Sequence, residues 1–149
     1  LDQGTTSSRS LLIDLAGKVI NKAQKEFKQI FPKPSWVEHD PEEIWNTQLS
    51  TAQELITKNA INSKDILALA ITNQRETIVA FDNESGNPIY NAIVWQCRRT
   101  ADYCQSLKSK YKELIKEKTG LEIDAYFSAS KMKWIIDNVQ WTIQEKLET

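Results

Sequence analysis

The 149 residues suit one compact domain or one lobe of something larger, and 19 basic against 20 acidic side chains leave a formal charge of −1, with no basic face for nucleic acid and no polyanionic tail. The four glycines, Gly4, Gly17, Gly86 and Gly120, never fall close together, which excludes both a G-x-G-x-x-G dinucleotide loop and a G-x-x-x-x-G-K-[ST] phosphate loop. One histidine (His39) and two cysteines (Cys97 and Cys104) exclude a zinc site of ordinary spacing.

Seven residues of helix rise about 10 Å, too far for a disulfide, so a helical stretch there leaves Cys97 and Cys104 as free thiols. Free thiols fit a reducing compartment, and a cytoplasmic protein is expected. No apolar run approaches the roughly 18 residues of a membrane span, and no signal peptide opens the chain. Membrane insertion is not expected. Leu1-Asp2-Gln3-Gly4 starts abruptly on a turn-like motif, as if inside an element.

In chain order, residues 9–15 (RSLLIDL) and 19–30 (VINKAQKEFKQI) read as two strands joined at Gly17-Lys18, a hairpin. Pro32 and Pro34 impose an extended loop that carries Trp36 and His39. Asp40-Pro41-Glu42-Glu43 is a helix start: Asp40 caps, Pro41 suits the first turn and Glu43 completes a capping box. Trp45, Leu49, Ala52, Leu55 and Ile56 recur at helical spacing up to about Lys58. Residues 66–72 (ILALAIT) form a continuous apolar run, read as a strand buried on both faces under helices. Residues 76–82 and 88–95 flank the turn-rich Asn83-Glu84-Ser85-Gly86-Asn87 and read as a second hairpin. A long helix follows over about 98–118 with a stripe of Cys104, Leu107, Tyr111 and Leu114, ended by Gly120. Met132, Ile135, Ile136 and Val139 mark a last helix. This order gives a mixed β-sheet flanked by helices, an α/β domain without repeats or linker.

Three stretches carry candidate chemistry. Asp2-Gln3-Gly4-Thr5-Thr6-Ser7-Ser8-Arg9 gathers an acid, a glycine, four hydroxyls and an arginine in one turn between strands. Backbone N–H groups with Thr and Ser hydroxyls cradle phosphate without bulk, Asp2 suits the Mg²⁺ that travels with ATP, and Arg9 suits a charge-assisted contact. An ordinary polar hairpin turn has the same composition, and on composition alone that plainer reading stands. Asn73-Gln74-Arg75-Glu76-Thr77 directly follows the apolar run, where ligands of α/β folds gather. Arg donates, Glu accepts and a glycol hydroxyl does both, but adjacent strand residues point to opposite faces. Arg75 and Glu76 therefore share a ligand only if the chain bends between them; the plainer reading is a solvated loop. Trp95 can lay its face on the carbons of a polyol or simply pack in a core, and Tyr126 can offer a hydroxyl or sit half-buried. His39 reads as a loop residue beside the cap, and the lysines between 108 and 118 as a solvated face.

Together DQGTTSSR (2–9), WVEHDPEEIW (36–45), ITNQRET (71–77), GNPIYNAIVWQCRRTA (86–101) and TGLEIDAYFSASKMKWIIDN (119–138) resemble the FGGY family of carbohydrate kinases, in the family's order and spacing over nearly the whole chain. Asn73 to Thr77 with Trp95 and Tyr126-Phe127-Ser128 are similar to the members that phosphorylate glycerol rather than pentuloses or gluconate. The resemblance implies the N-terminal lobe of an actin-like, ribonuclease-H-like fold. It also implies ATP-dependent transfer of a phosphoryl group to a terminal hydroxyl of glycerol, giving glycerol 3-phosphate. Residue by residue it implies Asp2 near Mg²⁺, Thr5, Thr6 and Ser7 as the phosphate turn and Arg9 as its basic contact. Arg75, Glu76 and Tyr126 correspond to partners of the glycerol hydroxyls, and Trp95 to the wall against its carbons.

The family's general base has no counterpart in residues 1–149, so no catalytic residue is assigned, and the chain alone is expected to be inactive. By the same resemblance the first few residues of the lobe and the whole C-terminal lobe are absent, and a homo-oligomer is expected of the full-length protein. The competing readings are a related sugar or polyol kinase, or a non-catalytic binding module. Five tryptophans suggest single-stranded nucleic acid, but Trp36, Trp45 and Trp134 have packing explanations and the charge is −1.

Overall fold

The structure is a computed structural model and describes residues 1–139. The described residues form two compact units, 1–29 with 40–75, and 30–39 with 76–139.

The first unit is built on a three-stranded antiparallel sheet in the order β1 (Asp2–Gln3), β2 (Ser7–Ile13), β3 (Val19–Glu26). Asp2 pairs with Arg9, Ser10 with Ala23, and a bulge shifts the register between Leu12 and Ile13. Asp14 ends β2 because its carboxylate accepts the N–H groups of Ala16 and Lys18 (both 2.9 Å), and Gly17 turns the chain at φ 81°. The first hairpin is thus where it was expected, although β3 stops at Glu26 rather than Ile30.

Helix α1 (Pro41–Lys58) starts as the sequence dictates: the Asp40 side chain accepts the Glu42 N–H and Pro41 opens the first turn. Glu43, expected to complete a capping box, instead accepts the Lys28 N–H at 3.1 Å and so ties α1 to the end of β3. Of the expected stripe Leu55 is buried and Ala52 half-buried, but the rest faces outward. Trp45 is 61% exposed, and Leu49 and Ile56 are also exposed, whereas Thr51 and Leu55 are buried. The reason is the partner surface. Ser8 and Ser10 point up from β2, and their hydroxyls meet those of Thr47 and Thr51 at 2.8 Å each, while Gln48 Nε2 donates to the Arg9 carbonyl and to Ser10. Hydroxyls select hydroxyls, and the helix is rotated to suit.

The run at 66–72 is a second correction. It is not buried on both faces: Leu67, Leu69 and Ile71 are 77%, 67% and 70% exposed. It lies parallel to β1 through Leu1 N to Ala70 O (2.7 Å), Thr72 N to Leu1 O and Gln3 N to Thr72 O (both 2.9 Å). Side chains along the whole run are exposed, Ile66 included.

The second unit centres on β4 (Glu38–His39) paired antiparallel with β5 (Ala92–Ile93), extended by bridges from Ile30 to Glu38 and from Ile78 to Ile93. The second hairpin is present but irregular. Its tip is held by Asp82, which accepts from the Ser85 N–H and hydroxyl, with Gly86 at φ 73°. Contrary to expectation His39 is a strand residue, fully buried. Ile78, Ile93, Cys97 and Ile135 form the core, with Trp36, Tyr90 and Trp134 packed around it.

Arg99 and Glu38 form a buried ion pair at 2.5 Å, the guanidinium lying 4.0 Å from the Trp36 ring centre and 4.5 Å from that of Trp134. Tyr90 and Asn91 donate to the same carboxylate. Helix α2 (Ala101–Thr119) begins after this pair and ends at Gly120, φ 73°. Of its expected stripe Cys104 is buried, while Tyr111 and Leu114 are exposed. Both cysteines are free and buried. Helix α3 (Ser128–Asn138) buries Lys131 and Ile135, whereas Met132 and Ile136, expected in its core face, are 52% and 60% exposed.

Candidate functional site

In the first unit the candidate phosphate segment is a tight four-residue turn. Gly4 N donates to Ser7 O at 3.0 Å, and a Cβ on Gly4 would come within 3.1 Å of that same oxygen, so the turn closes best on glycine. Thr5 and Thr6 occupy its tip, Thr5 half-buried and Thr6 exposed, their carbonyls held by Gln29 Nε2 and Phe27 N. Ser7 already belongs to β2 and is buried; its hydroxyl accepts from Gln24 Nε2 at 3.0 Å, a bond that does not consume its own hydrogen.

Arg9 and Asp2, partners across the strands, are joined at 3.2 Å, and Arg9 Nε is buried without a hydrogen-bond partner. Among the described residues no cluster of three His, Cys, Asp or Glu side chains can hold a metal. A single half-exposed carboxylate beside an arginine fits a Mg²⁺ ion that arrives on phosphate oxygens, and does not fit one caged by protein alone.

In the second unit three of the other four candidates come together. The chain bends at Glu76, whose φ is 61°, a left-handed conformation that a side chain of this size rarely adopts. The Glu76 carboxylate accepts the Ser128 N–H at 2.8 Å and the Ser128 hydroxyl at 2.7 Å, which seats it at the positive end of α3. The rings of Trp95 and Tyr126 meet edge to face with centroids 5.8 Å apart, and Tyr126 packs likewise on Phe127 at 5.1 Å. Trp95 is fixed by its own N–H, which donates to Thr77 Oγ1 at 3.2 Å. Glu76, Trp95 and Tyr126 thus form one cluster although the sequence separates them. Arg75, the fourth candidate, is the last residue of the first unit and is exposed.

Three groups that the sequence did not single out hold this cluster. Arg98 makes two bonds to Asp124 (2.6 and 3.0 Å), and Asp124 in turn accepts the Tyr126 N–H at 2.8 Å. The Arg98 hydrogen bond holds the Asp124 carboxyl below its ordinary range. Lys131, fully buried, donates to the carbonyls of Tyr126 (2.5 Å) and Phe127 (3.0 Å). Burial pushes its ammonium pKa down, and the negative charge of Glu76 works against that. One signal was available for Lys131: it stands four residues before Ile135, on the same helical face.

Residues 1–148 match the FGGY family of carbohydrate kinases, N-terminal domain. Glycerol kinase 2 of Thermotoga maritima is 57% identical over 99% of this chain and 30% of its own length. A glycerol kinase of Paraburkholderia phytofirmans is 58% identical over 94% of this chain and 28% of its own. The crystal structure of Plasmodium falciparum glycerol kinase with ADP superposes with a TM-score of 0.88 at 34% identity, covering 99% of this chain and 29% of that one. Gluconate kinase from Lactobacillus acidophilus, at 23% identity and a TM-score of 0.82 over 92% of this chain and 27% of its own, shares the fold. The expected actin-like α/β fold is thereby shown. The chain spans about three tenths of the length of the curated relatives it matches.

Proposed function

This chain belongs to the FGGY family of carbohydrate kinases, and from that premise we propose that the complete protein transfers the γ-phosphoryl group of ATP to a terminal hydroxyl of glycerol, giving sn-glycerol 3-phosphate. The chain is its N-terminal lobe. The observation that carries the glycerol reading is the cluster of Glu76, Trp95 and Tyr126, clamped by Ser128 and Asp124. An acceptor, a phenol and a flat aromatic face are what a small polyol requires. A site whose polar groups pair with hydroxyls also rejects substrates that lack them.

In this reading Glu76 accepts from one glycerol hydroxyl, Tyr126 and Arg75 meet the others, and Trp95 covers the carbons. The turn of Thr5, Thr6 and Ser7 donates to phosphate oxygens, with Arg9 as the charged contact, and Asp2 would hold the Mg²⁺ that travels with ATP. The ion, when bound, neutralises charge on the transferred group; the protein's own part is positioning. The general base on the glycerol hydroxyl lies outside residues 1–149. The protein is further proposed to be cytoplasmic and homo-oligomeric; no helix among the described residues is long and apolar enough to cross a membrane.

The test is a substrate panel with the purified complete protein, ATP and Mg²⁺, reading glycerol 3-phosphate formation. Glycerol should be phosphorylated with the highest kcat/KM. A higher value for a pentulose or gluconate would assign the protein to another branch of the family.

A further inference from the structure

The buried ammonium of Lys131 binds main-chain carbonyls of the proposed polyol cluster and has no role in the reading above. It stands in the first turn and a half of α3, where the helix dipole disfavours a cation. No ion pair among those formed by the described residues includes it. Burying an ammonium with no carboxylate in direct contact is strongly unfavourable. A methionine has nearly the same length and shape and would avoid that cost, so packing alone does not call for lysine here.

What the ammonium does is grip two consecutive carbonyls, Tyr126 O at 2.5 Å and Phe127 O at 3.0 Å. Glu76 in turn accepts from the N–H and hydroxyl of Ser128, the next residue. The turn at 126–128 is therefore clamped at its carbonyls by a cation and at its amide by an anion. The Tyr126 ring hangs from that turn against Trp95.

We propose that Lys131 is a positioning residue for substrate: it fixes the turn from which Tyr126 reaches the polyol, and it balances the charge that Glu76 presents there. The inference rests on the polyol reading of this cluster. It predicts that the lysine matters for the hydroxylated substrate and hardly for the nucleotide.

The experiment uses the complete kinase with Lys131→Met, Lys131→Arg, Tyr126→Phe and the Lys131→Met/Tyr126→Phe double variant. Lys131→Met should raise the KM for glycerol about tenfold or more while the KM for ATP stays within about twofold. Lys131→Arg, which keeps charge and donors, should recover part of the loss. Tyr126→Phe should add little in the Lys131→Met background, because the phenol is already displaced. An unmoved glycerol KM in Lys131→Met, parallel loss of glycerol and ATP binding, or full additivity with Tyr126→Phe would each overturn the proposal. So would failure of Lys131→Met to fold, since the argument holds that methionine packs there. Absence of glycerol turnover in the unmodified protein would sink the polyol reading itself, which the other outcomes do not.

Discussion

Glu76 joins two properties that seldom coincide: a carboxylate engaged by a helix N-terminus and a backbone in the left-handed region. A non-glycine residue in that region stores about 1–3 kcal/mol of strain, which the surroundings must impose. Here the two bonds from Ser128 impose it. Glu76→Ala in the complete kinase removes the acceptor and leaves the Ser128 donors unpaired. Hydrogen bonds to charged groups contribute about 1.5–3 kcal/mol, so the KM for glycerol should rise roughly 10- to 150-fold, with ATP little affected. Steady-state kinetics in both substrates decide it. An unchanged glycerol KM would reduce Glu76 to a helix cap.

At the scale of elements, α1 shows how polar packing replaces an apolar stripe. Thr51→Ala should destabilise the protein by about 1–3 kcal/mol, since it strips a partner from the buried Ser10 hydroxyl. Adding Ser10→Ala should recover much of that, with Gln48 still bonded to the Arg9 carbonyl. Urea unfolding of the three variants tests the coupling, and simple additivity would argue against it. The link between Arg98, just ahead of α2, and Asp124, ahead of α3, is a pH-dependent device. Arg98 lowers the Asp124 pKa from 3.8, so folding is stabilised when the group is ionised, and that contribution is lost as pH falls below the usual carboxylate range. Both side chains are partly exposed, so the effect is screened and modest. In Arg98→Met the acid limb of stability should flatten, its melting temperature converging on the parent's at low pH. Parallel curves at every pH would contradict this.

These elements also show what a sequence discloses. The ends of α1 and α2 were legible because Asp40, Pro41 and Gly120 act on the backbone next to them. The buried faces were not, because counting apolar residues finds Trp45 and Met132 and passes over Thr51 and Lys131. In the cluster, Glu76, Trp95 and Tyr126 were found by resemblance. Asp124 and Lys131 grip main-chain groups, and nothing in residue type announces which main chain a side chain will reach.

On the scale of the whole molecule, the expected outcome is that residues 1–149 alone do not phosphorylate glycerol. Phosphoryl transfer requires the nucleophilic hydroxyl, its base and the γ-phosphate held together away from bulk water. The carboxylates of the cluster are already engaged, Glu76 by Ser128 and Asp124 by Arg98 and the Tyr126 N–H. Asp2 is paired with Arg9, and its side chain is 30% exposed, so the charge acts through solvent and weakly. Leu67, Leu69 and Ile71 in a row on an open sheet edge also favour self-association. The assay should therefore be run on monomer isolated by size exclusion, with ATP, Mg²⁺ and glycerol, reading glycerol 3-phosphate. Turnover should be undetectable beside the roughly 1–100 per second of ordinary kinases. A rate in that range would place the base inside this sequence, and Glu76 or Asp124 would then have to leave its partner to serve as one.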